Sequence, residues 1–407
     1  MGQLRFIHAA DLHLGSPFTG MKGLKKEQWN KLKDSTLDAF DRLIDYTVDV
    51  RPDLLLIVGD IYDGEDRSIR AQYRFQSGMQ RLFRADIPVV ISHGNHDHLS
   101  GNWPRFELPE NVRVFDSSVS RFSLTTQNGE VHITGFSYGQ RHVKESVVDQ
   151  FPPSDNSEAI HIGMLHGSLE GDAAHAVYAP FTKRQLLSKN YDYWALGHIH
   201  KRQVLHTEPT IVYPGNLQGR HRNENGPKGF YDVQLSKTGT DMKFVPVSAI
   251  QFAAIQIDCS GLLHMNELLD ECLQQAGDFA AESGAGIIEL QFCQLDEGAI
   301  DLFAELPENG LVETIRESLE ALDEFIWLQK VSFDKPLPEM DLSPLGEEII
   351  GAMERWELTD WKDVLKDLYR HPKGSRFLEA LDEAETAKIR KGAVQKIRSG
   401  MQAGSDI

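Results

Sequence analysis

At 407 residues the chain exceeds what one hydrophobic core comfortably organises, so two or three domains are expected. Apolar and charged fractions of 41% and 25% are those of a water-soluble globular protein. A formal charge of −19 excludes a protein that coats nucleic acid by bulk electrostatics, although a local basic path beside an acidic body stays compatible with it. Cys259, Cys272 and Cys293 are too few and too scattered for a disulfide framework or a zinc site, and read as thiols of a reducing cytoplasm.

The chain opens directly into a strand-like segment, Leu4-Arg5-Phe6-Ile7-His8-Ala9, without a basic leader or a long apolar span. That argues against secretion and membrane insertion, and a cytoplasmic location is expected. The strand runs into Ala10-Asp11-Leu12-His13-Leu14-Gly15. On extended backbone, Asp11 and His13 project to the same side and could bind one cation. Phe40, Leu43, Ile44 and Thr47 then recur at helical spacing, with Pro52 as the stop.

Leu54-Leu55-Leu56-Ile57-Val58 is a continuous apolar run that stops at Gly59-Asp60-Ile61-Tyr62-Asp63. A helical stretch around residues 73–83 leads to a second run, Pro88-Val89-Val90-Ile91, which stops at Ser92-His93-Gly94-Asn95-His96-Asp97. Apolar runs without alternation suit strands buried on both faces, and strand–helix alternation predicts a parallel sheet with right-handed crossovers. Polar ligand types therefore sit at the carboxyl ends of strands, where open α/β sheets bind ligands.

From Val112 to Gly135 the pattern changes to short β-rich pieces. Ile160-His161-Ile162-Gly163-Met164-Leu165 then ends at His166-Gly167, and Tyr193-Trp194-Ala195-Leu196 ends at Gly197-His198-Ile199-His200. Further strands are expected over 210–213 and 229–235. Between them lie the turn Tyr213-Pro214-Gly215-Asn216 and a basic loop at Arg220-His221-Arg222. Fourteen of the sixteen histidines lie at or before His221, so the chemistry belongs to a first domain spanning 1–249. Residues 250–335 read as a small α/β capping domain. Residues 336–407 read as a linker at Pro336-Leu337-Pro338 followed by a helical segment that ends in a basic run from Lys388 to Arg398.

The candidate ligands are Asp11, His13, Asp60, Asn95, His166, His198 and His200. Mixed carboxylate and imidazole donors suit Mn²⁺, Fe²⁺ or Zn²⁺ better than Ca²⁺. Seven donors exceed one ordinary site, whereas two ions sharing Asp60 would use them all. Such a pair, about 3.5–4 Å apart, clamps the attacking and leaving oxygens of a displacement at phosphorus.

Asp11-x-His13, Gly59-Asp60-x-x-Asp63, Gly94-Asn95-His96-Asp97, His166 and Gly197-His198-x-His200, in this order and after strands, resemble the calcineurin-like metallophosphoesterase superfamily. Ala10 to Gly15, Gly59 to Asp63 and Tyr213 to Asn216 are similar to its DNA double-strand-break repair exonucleases. The similarity is to bacterial branches in particular, such as the nuclease subunit of SbcCD and the YhaO family. The motifs cover residues 1 to about 235; beyond them only the layout is similar.

The resemblance implies a four-layer metallophosphoesterase β-sandwich flanked by helices, with the capping domain and the helical C-terminal segment appended. It implies that Asp11, His13 and His200 hold one metal and Asn95, His166 and His198 a second, with Asp60 between them. It further implies that His96 faces the scissile phosphate, oriented by Asp63. Archaeal and eukaryotic repair nucleases carry His at that last position, while the bacterial nucleases and many phosphatases carry Asp, so it does not separate the two activities.

The expected function is thus a Mn²⁺-dependent phosphodiesterase acting on DNA, a 3′-to-5′ exonuclease with endonuclease activity on single strands. By the same resemblance it would dimerise and work with a coiled-coil ABC-type ATPase, bound by the segment after Pro338. A phosphatase or cyclic-nucleotide phosphodiesterase on a small substrate, and a non-catalytic adaptor of an ATPase complex, remain open alternatives.

Loop bases that could track a DNA backbone are Lys22, Lys25, Lys26, Arg105, Arg220 and Arg222, with Arg67, Arg70, Lys201 and Arg202. Trp103 could stack on a base or pack under its loop. His8, His93, His98 and His161 read as packing or surface residues. Trp356, Trp361, Leu365, Leu368 and Tyr369 form an amphipathic surface that either packs within the chain or docks a partner.

Overall fold

The computed structural model describes residues 3–18, 21, 23–64, 68–101, 106–155, 158–171, 178–304, 308–334, 344–369 and 381–400. Lys22, Arg67, Trp103, Arg105 and the expected linker at 336–338 lie outside them. The chain forms two compact units. The larger comprises Met1–Ile255, Cys272–Leu290 and Arg316–Val331, and the smaller Gln256–Glu271, Gln291–Ile315 and Ser332–Ile407.

Two six-stranded sheets build the larger unit. The first contains β1 (Leu4–Ala10), β2 (Leu54–Val58), β3 (Val89–Ser92), β4 (Val112–Val114), β11 (Gly229–Ser236) and β12 (Gly239–Pro246), in the order β12-β11-β1-β2-β3-β4. Strands β1 to β4 run parallel, while β11 and β12 close the edge antiparallel. The second contains β5 (Ser120–Thr126), β6 (Gly129–Gly135), β7 (Ile160–His166), β8 (Tyr193–Gly197), β9 (Gln203–Thr207) and β10 (Thr210–Tyr213), in the order β5-β6-β7-β8-β10-β9. Its inner strands β6, β7, β8 and β10 are parallel.

The apolar run in β2 explains itself once its two faces are separated. Leu55 and Ile57 pack with Phe40, Leu43, Ile44, Phe75 and Met79 from helices α1 (Lys26–Val50) and α2 (Ile69–Arg84). Leu54, Leu56 and Val58 face the other way, onto Ile133, Ile162, Met164 and Ala195 of the second sheet. The outer face of that sheet is covered by Phe136, Tyr138, Phe151, Phe181 and Leu186, the last from the short helix α3 (Lys183–Leu187). Helices, two sheets and an outer layer make the expected four-layer α/β sandwich.

Helix α1 starts earlier than its apolar spacing suggests, because Lys26, Glu27 and Gln28 open it with polar side chains and only Leu32 of that stretch is fully buried. It ends where Arg51 turns left-handed, with φ of 47°, before Pro52.

A third sheet has the order β13 (Gln251–Asp258), β14 (Gly286–Cys293), β15 (Ile326–Phe333). In the larger unit, Ile250, Phe252, Ile287, Phe325 and Trp327 cluster with Phe18 and Leu32. In the smaller unit, Phe292, Phe303 and Phe333 pack against one another, with ring centroids 5.1 to 5.4 Å apart. There Trp361 of α8 (Leu358–Val364) is buried edge-on against Trp356, whereas Val364 and Leu368 are exposed. Among the described residues no helix is long and apolar enough to cross a membrane.

Candidate metal centre

Every expected ligand follows the carboxyl end of a parallel strand: Asp11 and His13 after β1, Asp60 after β2, Asn95 after β3, His166 as the last residue of β7, and His198 and His200 after β8. The two sheets bring these ends together, and the His166 ring lies 3.3 Å from the Val58 carbonyl of the facing sheet.

The expectation that Asp11 and His13 share a side of extended backbone is corrected. Strand β1 stops at Ala10, and Asp11 and His13 are left-handed, with φ of 51° and 45°. Asp60 and His198 are left-handed too, at 48° and 98°. Such conformations cost about 1–3 kcal/mol each and persist where the surroundings over-determine them. Here the backbone hydrogen bonds do so: the Asp11 and His13 amides donate to the Gly59 and Asp60 carbonyls at 3.3 and 2.9 Å.

The donor atoms converge. His13 Nε2 lies 3.0 Å from His200 Nε2 and 3.8 Å from Asp60 Oδ2, and His166 Nε2 lies 3.4 Å from the same Asp60 oxygen and 3.0 Å from Asn95 Oδ1. Asp60 thus stands between the two histidines expected on different ions. Its other oxygen accepts from the His96 amide at 2.9 Å. Asp11 accepts from the His198 amide on both oxygens, at 3.0 and 3.1 Å. The His198 ring packs 5.2 Å from that of His166.

Two glycines make this crowding feasible. A Cβ on Gly94 would sit 2.3 Å from Asp60 Oδ1, and one on Gly59 2.0 Å from His166 Nδ1, where φ is also +74°.

The electrostatics fit a cation-binding cradle. Burial pushes Asp11 up to about 6. Burial also opposes charge on Asp60, but the proximity of His166 and His13 holds it well below the usual carboxylate range. Burial disfavours protonated His166, yet Asp60 and Asp11 outweigh it and raise its pKa to about 9. A proton on His166 thus supplies part of the positive charge that the buried carboxylates call for. His13, by contrast, is kept neutral by burial, with its pKa lowered to about 3, as a metal ligand must be.

Beside the ligands lies a second group. His96 Nδ1 is 3.2 Å from Asp63 Oδ1, and that hydrogen bond raises the pKa of His96 against the effect of burial. The same Asp63 oxygen meets the Arg220 guanidinium at 3.1 Å, and Asp63 Oδ2 accepts from Ser16 Oγ at 2.5 Å. Glu224, which sequence reasoning missed, is buried and accepts from His200 Nδ1 at 2.7 Å, from the Arg220 amide at 2.7 Å and from Asn216 Nδ2 at 2.8 Å. It orients a ligand from behind, a role with no motif of its own.

Among the expected DNA-contacting bases, Arg220 points into this network. Lys25 pairs with Glu320, Arg70 forks onto Asp34 at 2.6 and 2.9 Å, and Arg202 lies over the Phe244 ring. Lys26, Lys201 and Arg222 are exposed. His8 is a core residue, bonded to Tyr193 Oη at 3.0 Å and to the Leu196 carbonyl at 3.2 Å. His93 braces the loop after β3 through Asp97, which also accepts from the Ile61 and Gly94 amides.

Aspartates, histidines and an asparagine gathered at the carboxyl ends of strands from two facing sheets define a metallophosphoesterase. The profile of the calcineurin-like phosphoesterases matches residues 4–202. Over 400 residues the chain is 35% identical to a Bacillus subtilis protein described as the uncharacterized metallophosphoesterase YhaO, covering 96% of each. It belongs to the calcineurin-like metallophosphoesterase family, whose members bind divalent metals. It is 24% identical over 382 residues to the DNA double-strand break repair protein Mre11 of Haloferax volcanii, covering 88% of this chain and 78% of that one. The protein of the same description from Methanocaldococcus jannaschii is 25% identical over 278 residues, 65% of this chain and 69% of its own.

Proposed function

We propose that the chain is a dinuclear, Mn²⁺-dependent DNA phosphodiesterase, a 3′-to-5′ exonuclease with endonuclease activity on single strands, working in DNA repair in the cytoplasm. The His96–Asp63–Arg220 group set beside the convergent ligands supports phosphoester hydrolysis, and the observation that carries the DNA substrate is the similarity, over most of the chain, to DNA repair proteins.

Asp11, His13 and His200 would hold one ion and Asn95, His166 and His198 the other, with Asp60 shared. When bound, the ions supply the positive charge that activates a water nucleophile and offsets charge developing at phosphorus. His96, kept protonated to higher pH by Asp63, donates a hydrogen bond to the scissile phosphate and a proton to the leaving oxygen. Arg220 fixes Asp63 through its guanidinium. Lys26 and Arg222 would meet the DNA backbone outside the centre. The chain would be organised as a nuclease domain over 1–249, a capping domain over 250–335 and a partner-binding segment over 336–407, dimerising and docking a coiled-coil ABC-type ATPase.

The test is cleavage of a 5′-labelled DNA duplex in Mn²⁺ by wild type and Asp60→Ala side by side. A ladder from wild type alone supports the nuclease. Hydrolysis of para-nitrophenyl phosphate with no action on DNA, with or without an ATPase partner, would replace it with the small-phosphoester reading.

A further inference from the structure

We propose that the outer face of the second sheet carries a separate transition-metal site, formed by His132, His161 and Asp155, which takes a Zn²⁺-class cation. His132 on β6 and His161 on β7 are direct neighbours across the parallel pair. Both are buried, at 8% and 1% exposure, and their rings meet edge-on 5.0 Å apart. Asp155, on the loop before β7, reaches over them. Its Oδ1 lies 3.1 Å from His161 Nε2, and its Oδ2 lies 3.8 Å from His132 Nδ1.

Three features point to a cation rather than to packing alone. The first is spacing. Donors held about 2.0–2.1 Å from a tetrahedral zinc stand roughly 3.3 Å from one another, and one donor atom from each of His132, Asp155 and His161 lies within 4.8 Å of the others, so a small closure of the side chains reaches that spacing.

The second is the state of His132. Its Nε2 lies 3.0 Å from Glu130 Oε1 and donates to that carboxylate, so a neutral ring carries its lone pair on Nδ1. That Nδ1 is buried with no hydrogen-bond partner among the described residues, and it lies 3.8 Å from Asp155 Oδ2. A carboxylate behind a ligating imidazole is the recurrent arrangement of metal-bound histidine.

The third is access and charge. Asp155 and Glu130 are 45% and 56% exposed, so the cluster is reachable from solvent. Arg121 NH1 holds Asp155 Oδ2 at 2.9 Å, orienting the carboxylate and offsetting one of the two acidic charges. The balance, one negative charge with two imidazoles, favours a borderline cation over Ca²⁺ or Mg²⁺. Solvent would complete the coordination, and the ion would pin the loop through Asp155 to the sheet.

The experiment measures zinc retained per chain after equilibration in Zn²⁺ and gel filtration, for the full chain as wild type, Asp155→Asn and His132→Gln. Wild type should retain one equivalent more than either variant. Phosphodiester hydrolysis by the Mn²⁺-loaded proteins should be alike in all three, because none of these residues belongs to the catalytic centre. Equal zinc content in wild type and Asp155→Asn overturns the proposal and leaves a hydrogen-bonded cluster. Asp155 lies on an exposed loop, so that variant carries the comparison even if His132→Gln fails to fold.

Discussion

His96 and Asp63 differ in what their loss should do, although they touch. In the proposed reaction His96 donates a proton without holding a metal, so His96→Ala should lower kcat about 10²–10⁴-fold. Its metal content, measured by elemental analysis, should stay that of wild type; loss of metal would show that the ring is a ligand. Asp63 acts through His96. Its hydrogen bond raises the His96 pKa, so the proton donor survives to higher pH and activity falls on the alkaline side as the proton is lost. In Asp63→Asn the alkaline limb of the kcat profile should therefore move to lower pH, and an unmoved limb would remove His96 from the role of acid. Neither effect is visible in the order of residues alone. Asp60, Asn95 and His96 announce themselves in glycine-flanked motifs, but Glu224 is one acid in a basic loop, and only folding brings it onto His200 at 2.7 Å.

At the scale of elements, what was legible is what burial on two faces dictates. β2 and β3 read correctly because helices and a second sheet both need apolar partners there. The backbone after β1 did not, because left-handed aspartate and histidine are held by hydrogen bonds they donate to the Gly59 and Asp60 carbonyls just beyond β2, which no local pattern encodes. Helices α1 and α2 cross at Gly78, where a Cβ would lie 2.6 Å from the tip of Phe40. Gly78→Ala should thus destabilise by about 1–3 kcal/mol in denaturant unfolding while leaving metal-dependent hydrolysis intact. Strand β11 is tied to β1 and α1 through Asp232, which accepts from Arg5 at 3.1 and 2.6 Å and from Tyr46 at 2.8 Å. Burial tends to raise the Asp232 pKa, but these bonds outweigh it and hold it below the usual range. Their stabilisation is present above the unfolded-state value of about 3.9 and is lost as pH falls through the lower folded value. Asp232→Asn should cost about 1–2 kcal/mol at pH 7, a difference that closes in acid-unfolding curves.

For the molecule as a whole, the centre lies where the two sheets meet, and ions bound among its buried carboxylates and imidazoles would tie the sheets together. Removing the ions with a chelator should lower the thermal midpoint of the full chain by several degrees. At ion concentrations about 100-fold above Kd, each ion contributes roughly 2.7 kcal/mol. Rebinding near neutral pH should release protons, detectable in a weakly buffered titration, because His166 must give up the proton that Asp60 and Asp11 stabilise. Rebinding without proton release would mean that His166 is neutral before the metal arrives.

The four left-handed residues of the centre, Asp11, His13, Asp60 and His198, bear on how the protein can be altered. Each is a place where glycine would relax the backbone and remove a ligand in one step. In ion-free medium, where bound ions no longer stabilise the fold, a laboratory selection for heat resistance should therefore enrich glycine there, most strongly at His198, whose φ of 98° is the least natural for a side chain. The hardiest survivors would be inert, and only a selection that also demands turnover would keep the strained residues in place.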